Sequence, residues 1–198
     1  MSAFDVLLER FDTTLKKFNP VNYNRLYPPL PLHDITALLK KFDCADEEMK
    51  ILFAWKGGFD PEQDPNTRCM LFDFQSFLCS LDSMVYLLED NEEDPRWEGP
   101  YLPLLRDDTG QFLIFNNGPG KDHGKIHLYS SSLGFIDDPI SYYDSVPAMI
   151  ETTLLSYEQE AFVYDDAKDW LKIDRNKYAK IAKAINQRSK YWDQIKIR

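Results

Sequence analysis

His123 and His127 stand four residues apart, the spacing that puts two imidazoles on one face of a helix and lets them share a metal. Here Gly124 occupies the place where a zinc protease carries its glutamate, and the pair straddles that glycine at the entry to a strand. Strand geometry does not bring the two rings together, so the sequence predicts ordinary loop and strand histidines and no metal. The loop Gly118-Pro-Gly-Lys-Asp-His-Gly-Lys125 has the glycines and lysines of a phosphate cradle but not the order. Ile126 follows Lys125 where Ser or Thr would hold magnesium, and a strand follows where a helix is needed. Asp107-Asp108, Asp137-Asp138 and Asp165-Asp166 are paired carboxylates of the kind two-metal nucleases use. Neighbours on an extended chain point opposite ways, however, and no third ligand sits at a supporting interval, so turn and capping roles explain them better. Ser130-Ser-Ser132 lacks a base, and no G-x-S-x-G elbow exists. The sequence therefore predicts a protein that is not an enzyme, with no catalytic residues and no cofactor.

The elements around these residues are legible from their spacing. Tyr101-Leu-Pro-Leu-Leu105 and Phe112-Leu-Ile-Phe115 flank Arg106-Asp-Asp-Thr-Gly110, a hairpin whose aspartates can turn on their own backbone and whose glycine accepts φ > 0. Lys125-Ile-His-Leu-Tyr129 is a third strand with Ile126 and Leu128 on one face, and the middle strand, apolar on both sides, should lie deep in the sheet. Gly134 to Ile136 adds a short fourth. Ahead of the strands, Phe4, Leu7, Leu8, Phe11, Leu15 and Phe18 form a helix opened by Ser2 and Asp5 and closed at Asn19-Pro20. After a proline-rich connector starting at Pro20, helices follow with Ile35, Leu38, Leu39 and Phe42, then with Met49, Leu52, Phe53 and Trp55, the latter ending on a left-handed Gly57-Gly58. Phe74, Phe77, Leu78, Leu81, Met84, Val85 and Leu88 read as one amphipathic helix running into the acidic stretch 89–94. Two helices close the chain. One is capped by Asp144 or Ser145 and buries Met149, Ile150 and Leu154; the other runs from Arg175 to about Ile195 behind Asp174 and buries Tyr178, Ile181 and Trp192. Helices, then antiparallel strands, then helices indicate an α+β fold with an antiparallel-dominated sheet flanked by helices.

Length and composition support a single domain spanning 1–198. A chain of 198 residues with 13 Phe, 4 Trp and 11 Tyr has ample material for a core. Cys44, Cys69 and Cys79 form no C-x-x-C pair and suggest neither a disulfide framework nor a zinc knuckle, which fits a reducing cytoplasm. The N-terminus has no signal-peptide pattern, and no apolar run is long enough for a bilayer, so no membrane association is expected. The net charge of −10 is unevenly spread: residues 167–198 carry ten basic and three acidic groups, leaving −17 on the body against +7 on the tail. An acidic body repels nucleic acid and steers basic proteins toward itself; the basic tail could fold back onto it.

The ordered motifs also carry a resemblance. Leu52-Phe-Ala-Trp-Lys-Gly-Gly58 resembles the "LYRWHNGG" element of the SUKH superfamily, which includes bacterial immunity proteins and the yeast Smi/Knr-type cell-wall assembly regulators. Trp97 and the run Leu102 to Asn116 resemble that family's paired strands, Gly124 to Tyr129 its following strand, and Ser141 to Leu155 its closing helix. Lys56-Gly57 stands where the family often has His-Asn, and Asp108-Thr109-Gly110 replaces a more glycine-rich turn. The resemblance implies a SUKH-like core over 31–157, between an added N-terminal helix (1–20) and a basic C-terminal helical extension (158–198). It implies a cytoplasmic immunity protein that neutralises a cognate toxin domain, often a nuclease or deaminase.

The charge argument, not the resemblance, selects the contact residues: Glu89, Asp90, Glu92, Glu93, Asp94, Asp107, Asp108, Asp137 and Asp138, with Trp97 as aromatic anchor. Trp97 and Tyr142-Tyr143 stay open between packing and recognition, whereas Trp55 reads as core. A regulatory scaffold that binds several cellular proteins is the alternative the yeast relatives imply. Nucleic-acid binding through Tyr178, Tyr191, Trp192 and the intervening lysines is a third reading, set against an amphipathic helix that buries those aromatics.

Overall fold

The computed structural model describes residues 2–63, 65–89, 99–130 and 132–194, with the side chains of 136 and 137 also outside the description. Helix α1 (Ala3–Phe18) opens on a reciprocal cap: Asp5 N–H donates to Ser2 Oγ at 3.1 Å while the Ser2 amide donates back to the Asp5 carboxylate. Asn19 ends α1 and starts α2 (Pro20–Arg25), because a proline at the first helical position loses no bond and has a pre-set φ. The connector read from Pro20 thus begins only after Arg25. Helices α3 (Leu32–Lys40) and α4 (Glu47–Trp55) follow, the second capped by Asp46.

Helix α4 does not end on a left-handed glycine. Lys56 leaves the helix in extended conformation, and Gly58 (φ +83°) is glycine because the Cys79 backbone passes against it. The next segment corrects a second expectation. Asp73–Gln75 forms a tight turn in which Phe74 (φ 57°) and Gln75 (φ 54°) are both left-handed, so no helix can run through it. Phe77–Leu78 is instead a short edge strand, β1, and the helix α5 is confined to Leu81–Glu89 behind a Ser80 cap.

Strands β1, β2 (Tyr101–Arg106), β3 (Phe112–Asn116), β4 (Ile126–Ser130) and β5 (Phe135–Tyr143) form an antiparallel sheet in sequential order. The two-sided apolar strand, β3, lies at its centre. Leu113 and Phe115 face the main core; Phe112 and Ile114 face the other side, where they join Tyr129. β5 is nine residues long, with an irregular register opposite Leu128–Ser130. It carries Ser141, Tyr142 and Tyr143 as strand residues, so the closing helix α6 (Val146–Glu158) starts only after the Ser145 cap.

Helices α1 and α6 pack along each other over the main core, with α4 beside them. A β6–β7 hairpin (Phe162–Asp165, Trp170–Ile173), unread in the sequence, separates α6 from α7 (Arg175–Ile185). The last helix is broken. Asn186 ends α7 because its side chain accepts the Asp144 amide and donates to Thr152 Oγ1, both at 3.0 Å, and α8 (Lys190–Gln194) starts afresh. The basic tail folds back onto the body: Ser189 Oγ donates to the Ser141 carbonyl at 2.6 Å and Trp192 Nε1 to the Tyr142 carbonyl at 2.7 Å.

Candidate protein-binding surface

Those of the selected acidic residues that are described do not form one patch. Glu89 ends α5, exposed, with Lys41 Nζ 3.9 Å away. Asp138 is exposed on β5. The two stand on either side of Tyr101, which lines a cleft of about 430 Å³ with Glu89 and another of about 540 Å³ with Asp138. Asp107 and Asp108 lie in the β2–β3 turn, at the far end of β2 and roughly 17 Å from Tyr101 at strand rise. Of these two, only Asp108 faces solvent, 3.4 Å from Arg68. Asp107 is only 4% exposed and corrects the surface assignment. Its carboxylate accepts from the Thr109 and Gln111 amides and from both their side chains, so the residue builds the turn from inside. Asp90, Glu92, Glu93, Asp94 and Trp97 lie outside the described residues, as does the side chain of Asp137. Tyr142 and Tyr143 are core residues.

Of the residues considered for chemistry, His123 and Ser130 have structural partners. Among the described residues no group of three or more His, Cys, Asp or Glu side chains is arranged to hold a metal. His123 sits 3.3 Å from Asp46, and buried Ser130 donates to Gln111 Oε1 at 2.7 Å. All three cysteines are buried and free. Burial pushes the Cys69 thiol well up and the Cys79 thiol to about 12, which leaves both protonated and inert at neutral pH.

His127 lies on the sheet face away from the main core and is 8% exposed. Its Nδ1 is 3.1 Å from the Pro139 carbonyl and so carries the proton, leaving Nε2 as a buried acceptor with no partner among the described residues. Burial lowers its pKa below the ordinary 6.5; the Pro139 carbonyl and Asp122 oppose that shift, and Lys125 and Lys190 reinforce it. A depressed folded-state pKa means that the unfolded chain binds the proton more readily. The stabilising contribution is therefore present above pH 6.5 and lost as pH falls through the folded-state value. Urea unfolding between pH 7.5 and 5 is expected to show stability falling more steeply in the wild type than in His127→Gln; parallel pH profiles would rule the effect out.

A different surface gathers six acidic residues around one groove. The seam between α1 and α4 is lined by Asp5, Glu9 and Asp12 from α1, Glu47 and Glu48 from α4, and Glu151 from α6, around Leu7, Leu8, Ile51, Ala54, Trp55 and Pro147. Asp12 organises its upper end, accepting from Tyr23 OH at 2.7 Å and Trp55 Nε1 at 3.0 Å beside Lys16. Burial raises the Asp12 pKa, but the hydrogen bonds from Lys16, Tyr23 and Trp55 outweigh it and hold the carboxyl below its usual range. Trp55, read as core, is half-buried against Phe11 with ring centroids 5.3 Å apart. The α1 stripe at Phe4, Leu8, Phe11 and Leu15 was read from the sequence; its acidic flank at Asp5, Glu9 and Asp12 was not. Nor was the packing of α4 beside this flank.

No protein-family model matches this sequence, and no curated protein matches it.

Proposed function

We propose that this chain is a non-catalytic protein-binding module that captures a basic partner, in the manner of an immunity protein occluding the cleft of a toxin domain. The observation that carries this reading is how the two charge blocks are used. The three aromatics of the terminal helices face the core: Tyr178 and Trp192 are buried, and Tyr191 packs on Tyr142 with ring centroids 4.6 Å apart. That withdraws Tyr178, Tyr191 and Trp192 from the stacking role single-stranded nucleic acid would ask of them. Two of the tail's arginines pair with carboxylates of the body, Arg175 with Asp73 and Arg188 with Asp144. The acidic body, at −17, outweighs the tail's +7 and sets the sign of the long-range field a partner meets. The SUKH resemblance of the ordered motifs supports the immunity form of this reading, and a reducing cytoplasm is where such a partner would be met.

The test is coexpression with basic toxin domains. The expected results are a stable one-to-one complex and restored growth; several unrelated binders with no rescue would favour a scaffold instead. In such a complex, Glu89→Lys combined with Asp138→Lys should lower the association rate constant about tenfold at low salt, through lost steering. An unchanged rate with unchanged salt dependence would remove that edge of the sheet from the contact.

A further inference from the structure

The α1–α4 seam has a shape as well as a charge. Two clefts, of about 470 and 610 Å³, meet at Ile51. Along α1 the lining runs from Ser2 to Thr13, and along α4 from Glu47 to Trp55. At 1.5 Å per residue these spans are roughly 12–16 Å, or two to three turns of helix. The floor is apolar and open to solvent: Ala54 is exposed, and Ile51 and Trp55 are half-buried. The rim is acidic, and no described Lys or Arg lines either cleft. Lys16 and Lys50 stand nearby but are paired with Asp12 and Glu47. Glu9 and Glu151 form no ion pair with another described residue. Burial, reinforced by Asp46, raises the Glu48 carboxyl, a cost that a cation placed in the seam would relieve.

We propose that this seam is the docking groove for one amphipathic helix of the partner, its apolar side on Ile51, Ala54 and Trp55 and its lysines or arginines against Glu9 and Glu151. This rests on the reading that the chain captures a basic protein, and it names the element captured. An apolar floor two to three turns long takes side chains at i, i+3/i+4 and i+7, the pattern by which grooves hold helices. The acidic rim repels nucleic acid and selects positive charge. A second copy of this chain does not supply the helix. Its own basic amphipathic helix, α7, already buries Tyr178, Ile181 and Ala182 in the core.

The test uses the full chain and a synthetic 14-residue peptide with Leu at i, i+3/i+4 and i+7 and Lys elsewhere; a counterpart with Glu for Lys is the control. In an amide-resolved NMR titration, the Lys peptide is expected to shift resonances within 3–18 and 47–55. Its Kd should rise about tenfold between 50 and 300 mM salt as the rim charges are screened. Glu9→Lys with Glu151→Lys, both at exposed positions, should abolish binding; Glu89→Lys with Asp138→Lys should leave it intact. Shifts spread outside the seam, equal binding of the Glu peptide, undiminished binding by the Glu9/Glu151 variant, or dimerisation of the chain through the seam would each overturn the proposal. A one-to-one toxin complex indifferent to the Glu9/Glu151 variant would defeat the groove and spare the function. A groove that takes the Lys peptide while no toxin domain binds the chain would do the reverse.

Discussion

Replacing Asp73 by alanine is expected to lower the free energy of unfolding by about 2–5 kcal/mol, the cost of leaving the hydrogen-bonding partners of a buried carboxylate without their acceptor. Asp73 is fully buried. Its Oδ2 accepts from Tyr142 OH, and its Oδ1 accepts from the Phe74 amide at 2.8 Å and from Arg175 Nη1. Alanine leaves the Tyr142 hydroxyl and the Phe74 amide without an acceptor, at about 1–3 kcal/mol for each buried group. The same change releases the left-handed Phe74–Gln75 turn, which the side chain of Asp73 helps to hold. It also loosens the tail, because Tyr142 packs on Trp192 at 4.7 Å between ring centroids and Arg175 opens α7. Asp73→Asn keeps an acceptor and a donor at the site and should lose less than half as much. Urea titrations measure both variants. Should the tail undock before the rest unfolds, the alanine variant would also show a smaller denaturant slope. A loss below 1 kcal/mol for alanine would mean that the network contributes little.

That network also marks where sequence reading stops. The Ser2–Asp5 cap, the Ser145 and Asp174 caps and the alternation of β4 were legible because each rests on residues a few positions apart. Phe77 and Leu78 were misread because Phe74, Phe77, Leu78 and Leu81 fit a helical period equally well. Only the Asp73 turn, held from Tyr142 and Arg175 some 70 and 100 residues away, forbids the helix. The β6–β7 hairpin escaped for a local reason: it turns without glycine through Asp169 (φ 47°), and Val163 and Trp170 are exposed, which blurs the alternation. The candidate site was harder still. Composition gives the sign of a partner's charge, but Asp107 and Asp108 are identical in type and opposite in burial. The α1–α4 seam exists only once residues some forty positions apart are packed side by side.

Gly58→Ala should be more damaging than a helix-terminating glycine would suggest, with a loss of about 3 kcal/mol or more from over-packing combined with a left-handed alanine. A Cβ at Gly58 would stand 2.5 Å from the Cys79 carbonyl oxygen and 2.7 Å from the Ser80 nitrogen, and both are backbone atoms that cannot swing aside. The crowding comes from the bridge that ties the end of α4 to the sheet. Phe59 N–H donates to the Leu78 carbonyl at 2.8 Å, Ser80 N–H to the Phe59 carbonyl at 3.0 Å, and Tyr27 N–H to the Gly58 carbonyl at 2.7 Å. Gly110 supplies the control. It has the same φ of +83°, but nothing lies within 4 Å of its Cβ position, so Gly110→Ala carries only the left-handed cost of about 1–2 kcal/mol. The two variants share a backbone conformation and differ in crowding. The gap between their urea midpoints therefore measures how closely β1 and its flanks are pressed onto the end of α4. Amide exchange at Phe59 and Ser80 should accelerate in the Gly58 variant alone. Equal losses at the two sites would return Gly58 to the lesser role of ending a helix.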